Sequence, residues 1–119
     1  MSTVERETAL ANLDEVVRIR ATTAKKLREE AKAARKAGDQ AKASALAREA
    51  TGLNQQNFRI LHVRRKLRAG ASVQESLQKL RTITQEAAEV EEQIQRGAEL
   101  LERARTLVQI IVRLSKIFS

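Results

Sequence analysis

Apolar side chains recur along this chain in steps of three and four residues. The first series reads Leu10, Leu13, Val17, then Ala24, Leu27, Ala31 and Ala34, with Arg20 as the exception. A second runs Leu46, Ala50, Leu53, Ile60 and Leu67, with Asn57 and Arg64 intruding. The third takes in Ile83, Ala87, Val90, Ile94, Gly97, Leu101, Ala104, Val108 and Ile111, and ends at Phe118. This spacing lays an apolar seam along a helix, in the manner of helices that pack at shallow angles. It predicts an all-α protein of three long helices in one domain, residues 1–119.

The punctuation between the series agrees. Ser2 with Glu5 has the spacing of a capping box, in which side chains satisfy the free N–H groups of a helix start. Gly38 has the freedom to close the first helix, and Asp39 to cap the next. Gly70 follows the second series, and Ser72 with Glu75 forms another capping box. The helices are therefore expected at about 3–37, 39–68 and 72–118. No capping residue follows Gly97, and the heptad spacing crosses it without a slip.

Folding at the two turns gives a register. At Gly38–Asp39, Val17 comes opposite Ile60, Ala24 opposite Leu53, Leu27 opposite Ala50 and Ala31 opposite Leu46. Large faces small at the last three levels, as interdigitated packing prefers. Folding at Gly70 brings Leu67 to Val73, Val63 to Leu77 and Ala50 to Val90. The expectation is an antiparallel three-helix bundle whose last helix outruns its neighbours, with residues 102–118 projecting roughly 25 Å. The alternative is a four-helix bundle broken at Gly97.

That last stretch is the most apolar in the chain. Eight residues of "LVQIIVRLSKIF" (107–118) are large and apolar, and on a helical wheel they cover an arc of about 220°. Burying eight such side chains is worth on the order of 12–24 kcal/mol before entropy losses, so the segment is expected to pack against something. The first reading is a homo-oligomer or a protein partner docked through Leu100, Leu101, Leu107, Val108, Ile110, Ile111, Leu114, Ile117 and Phe118. The same amphipathic helix would also suit a membrane surface, although the chain has no tryptophan and the polar face carries only Arg113 and Lys116.

Charge adds a second candidate surface. The net charge of +8 is concentrated in residues 18–68, where 15 bases meet four acids. Arg18, Lys25 and Lys32 recur every seven residues on the first helix, with Arg28 and Arg35 beside them and Lys36 adjoining. Arg64, Arg65, Lys66 and Arg68 close the second helix. A stripe of this kind suits phosphate-backbone binding to nucleic acid without sequence preference. Two phenylalanines are the chain's only aromatics, too few for the stacking platforms of single-strand binders.

Other chemistry has little material. Zero cysteines exclude thiol catalysis and disulfides. His62 is the lone histidine, and the glutamates of "EAAEVEE" lack the Glu-x-x-His pairs of bundle metal sites. A non-enzyme is expected, with no cofactor, metal or small-molecule substrate. No apolar run approaches the roughly 20 residues that span a bilayer, and Glu5, Glu7, Asp14 and Glu15 are unlike a secretory signal. A cytoplasmic location is expected. Finally, the register sets Arg20 opposite Asn57, which reads either as a buried polar pair of the kind that fixes coiled-coil register or as an exposed flank.

Overall fold

Gly38 and Gly97 close helices in the same way. In the computed structural model, which describes residues 3–70 and 76–117, both have a positive φ, 83° and 93°. After Gly38, the Asp39 N–H donates to the Ala34 carbonyl at 2.9 Å; after Gly97, the Ala98 N–H donates to the Gln93 carbonyl at 2.9 Å. Each is the six-to-one bond of a Schellman motif, completed by the glycine N–H bonding to Arg35 or Ile94. The third series is thus two helices. The chain is all-α: α1 (Thr3–Lys36), α2 (Gln40–Gln55), α3 (Asn57–Arg68), α4 (Leu77–Gln95) and α5 (Leu100–Lys116).

The α2–α3 interruption is slight. The Gln56 N–H bonds to Leu53 rather than to Gly52, whose carbonyl accepts instead from the Gln56 side-chain amide at 3.4 Å. One side chain inserted into the ladder tightens a single turn. Taken as one rod, α2 and α3 run antiparallel to α1, as the first turn predicts. Ala24, Leu27, Ala31, Leu46, Ala50 and Leu53 are all buried. Asp39 caps α2, its carboxylate accepting from the Lys42 N–H at 3.1 Å.

The second half departs from expectation. α4 lies beside α1 and α5, diagonal to α2 and α3. It runs parallel to α1, because α1 is antiparallel to α2 and α3 (Arg20 to Asn54, Asp14 to Arg64) and α4 is antiparallel to the helix that runs alongside them (Gln93 to Arg103, Glu86 to Arg113). α5 then returns antiparallel to α4 and parallel to α2 and α3, with Arg105 near Glu49 and Arg59 near Ser115. The molecule is two antiparallel hairpins packed together as a four-rod bundle, 54 × 25 × 17 Å. The projecting helix over 102–118 is therefore corrected to a fold-back at Gly97.

The reason lies in the width of the α5 apolar face. A projecting helix offers one seam, whereas an arc of about 220° needs neighbours on several sides. In the bundle α5 packs against α2, α3 and α4 and touches α1 across the centre. Leu107, Ile111 and Leu114 are fully buried, and Leu100 and Ile110 nearly so. α5 occupies the place beside α2 and α3 that the predicted register assigned to α4. It does so without a side-chain cap at its start, so burial outweighs a missing cap worth about 1 kcal/mol.

What does project is the α1–α2 turn. The Gly97–Leu101 turn shares a groove with Glu30 and Leu46, so residues 31–41 extend beyond the second hairpin. Only alanine seals them: Ala31, Ala34 and Ala43 are buried there. Ser2, Ser72, Val73, Glu75 and Phe118, named above for caps, register or interface, lie outside the described residues.

Candidate nucleic-acid interface

Ion pairing divides the basic stripe. Arg18 donates two hydrogen bonds to Glu91, at 2.9 and 2.8 Å, and two to Glu15, at 3.2 and 2.5 Å. These bonds, first to Glu15 and then to Glu91, hold the guanidinium above its ordinary pKa, and the Glu15 carboxyl sits lowered chiefly by its bond to Arg18. Arg64 is paired with Asp14. Both arginines therefore serve the joints between helices.

The rest of the stripe stays open. Lys25, Arg28, Lys32, Arg35 and Lys36 are exposed along α1, and among the described residues none of them takes part in an ion pair. They lie on the outward side of α1, and Lys25 to Arg35 spans about 15 Å of helix. Arg48 is exposed on α2, and the register places it level with Glu29, between Arg28 and Lys32 of the row. The sequence signal for Arg48 was the register itself, because one arginine between Ala47 and Glu49 forms no row of its own.

Acids elsewhere are largely spent. Glu86 pairs with Arg113, Glu92 with Arg96 and Glu49 with Arg105. The "EAAEVEE" cluster is thus spread over α1, α4 and α5 partners, and among the described residues no group of three or more metal-ligating side chains converges. Glu29 is the one acid of α1 that lies among the open bases on its outward side. The local field on this flank is cationic.

A second exposed feature sits on α3. Phe58 is 59% exposed and Leu61 37% exposed. The Arg59 guanidinium lies 5.0 Å from the Phe58 ring centroid. Phe58, Arg59, His62 and Arg65 line a groove of about 360 Å³ with Ser115 of α5. Arg65, Lys66 and Arg68 are exposed in the last turn of α3, where cations also complement the helix dipole. The seam pattern did not flag this groove, because Phe58 falls outside it.

The apolar interface expected on the C-terminal helix is internal. Leu100, Leu107, Ile110, Ile111 and Leu114 belong to the core, and Leu101, Val108 and Ile117 pack half-buried against it. Among the described residues no helix is long and apolar enough to cross a membrane. The fold and its open face define a four-rod helical bundle with a cationic flank. Neither a protein-family model, nor a curated protein, nor a solved structure matches the chain.

Proposed function

We propose that this chain is a non-enzymatic protein that binds nucleic acid through its phosphate backbone, using the outer flank of α1 with Arg48. The observation that carries the reading is the contrast within one stripe. Arg18 and Arg64 are paired, while Lys25, Arg28, Lys32, Arg35 and Lys36 face solvent and enter no ion pair among the described residues. Like charges at i, i+3 and i+4 repel one another along a helix, and a polyanion relieves that repulsion. The straight presentation suits a regular row of phosphates and offers no shape for reading base edges. Assembly through α5, the other expectation, would require the second hairpin to open, because the same side chains fill the core.

The test is duplex binding against salt. With about four or five phosphates neutralised, log K for a 20-base-pair duplex should fall against log salt with a slope of about −4. Reversing Lys25 and Lys32 to glutamate should weaken binding about tenfold or more at low salt. Reversing Lys79 and Arg81, exposed on α4, makes the same change in net charge away from the flank. Binding that is absent at low salt, indifferent to salt, or equally weakened by both pairs of reversals would overturn the proposal.

A further inference from the structure

We infer that the α3–α5 groove holds an unpaired nucleobase, stacked on Phe58, from a strand whose phosphates run along the basic flank. This deepens the phosphate-binding reading and rests on it. Phe58 is the only phenylalanine, tyrosine or tryptophan among the described residues, and it stands 59% exposed where the other described large apolar side chains, Val4 and Leu61 apart, are buried or half-buried. The ring is held, not loose. Arg59 covers it from 5.0 Å while bonding to Gln56 Oε1 at 2.8 Å and Ser115 Oγ at 3.4 Å.

The lining chooses the occupant. The groove sets one ring beside Arg59, His62 and Arg65, with no acid among its walls. A ring face flanked by guanidinium groups suits a base with its phosphate, since every base has a π-face and every nucleotide an anion. Phe58 lies ten residues beyond Arg48 along the α2–α3 rod, about 15 Å, so a strand passing Arg48 reaches it within a few nucleotides. A duplex cannot offer a stacked base to a side groove, whereas a frayed end, gap or overhang can. A lipid surface fits less well: Phe58 and Leu61 form a small apolar area, where surface-bound helices present a whole face.

The experiment compares three 20-base-pair duplexes at low salt: blunt, with a four-nucleotide 3′ overhang, and with the same overhang made abasic. The overhang should bind about five- to tenfold tighter than the blunt end. The abasic overhang should match the blunt end, because it keeps the phosphates and loses the bases. Phe58→Ala should abolish the overhang advantage and leave blunt binding unchanged, while Phe58→Trp should keep it; unchanged helicity shows that both variants fold. Equal affinity for blunt and overhang duplexes, or an equal loss on both in Phe58→Ala, overturns the inference alone. Absence of all duplex binding at low salt overturns the parent reading with it. Phe58-dependent sedimentation with anionic vesicles, without an overhang advantage, assigns the groove to lipid instead.

Discussion

Arg18 of α1 and Glu91 of α4 form a two-pronged pair, with Nη1 and Nη2 each donating to one carboxylate oxygen at 2.9 and 2.8 Å. The pair binds the first hairpin to the second at one level of the bundle. It also removes Arg18 from the surface stripe in which its seven-residue spacing would place it. One arginine is thus read differently once its neighbour in space is known.

Arg18→Ala should therefore affect stability and not binding. Arg18 is about half exposed, so solvent screening keeps the loss to about 0.5–1 kcal/mol. Urea unfolding would measure that loss, and duplex affinity should stay within twofold, in contrast to Lys25 and Lys32.

Glu15 gives this joint a pH dependence. Its carboxyl is lowered in the folded state, chiefly by the hydrogen bond from Arg18, so in acid the unfolded chain takes up its proton first. The stabilisation is present above the ordinary carboxylate range and is lost as pH falls through the folded value. Glu15→Gln should shrink the difference between urea midpoints at pH 7 and pH 3. Because the Glu15 side chain is 42% exposed, solvent screening keeps the change small, and it calls for paired measurements.

Arg20 should respond to Asn54, not to Asn57. Its Nη1 donates to Asn54 Oδ1 at 2.6 Å, one turn from the expected partner, and its Nε is buried without a hydrogen bond. Burial lowers the pKa of the guanidinium. Asn54→Ala should cost about 1–3 kcal/mol by leaving a second donor unpaired. Arg20→Leu should be neutral or stabilising, because it removes the desolvated charge altogether. Thermal melts of the two variants moving in the same direction by similar amounts would contradict this account.

Ile111→Ala should destabilise the fold by about 2–5 kcal/mol through the cavity it leaves. Ile111 is fully buried within its own chain, so solution mass by light scattering should not change in the folded variant. A helix docked on another molecule would give the reverse: a change of mass with little loss of monomer stability.

Gly97→Ala isolates the cost of the turn. A Cβ at Gly97 would meet nothing within 4 Å, so the penalty is backbone strain at φ 93°, about 1 kcal/mol or somewhat more. Gly97→Asn should cost less, since asparagine tolerates the left-handed region better. Equal melting temperatures for all three proteins would show that the turn is not held in this conformation.

Helix positions, the α1–α2 turn and its register were legible in the chain because each depends on neighbours close in sequence. Three-four spacing marks the buried side of a helix, and the Gly38–Asp39 pair marks a stop followed by a cap. Gly97 escaped the same treatment because Ala98 and Glu99 supply no cap and the seam continues in phase across it. Whether a glycine there ends a helix or is carried through depends on what the following segment gains by turning back. Local chemistry does not contain that quantity.

The open bases follow the same division. Sequence spacing by itself determined which cations share a side of α1, since a rigid helix converts intervals of seven and three into a face. Only the tertiary structure decided which of them remain free, because Glu91 and Asp14 reach Arg18 and Arg64 from other helices and none of the ion pairs described reaches Lys25, Arg28, Lys32 or Arg35. It also decided that α5 lies inside. A face about 220° wide asks for several neighbours at once, and only a folded bundle supplies them.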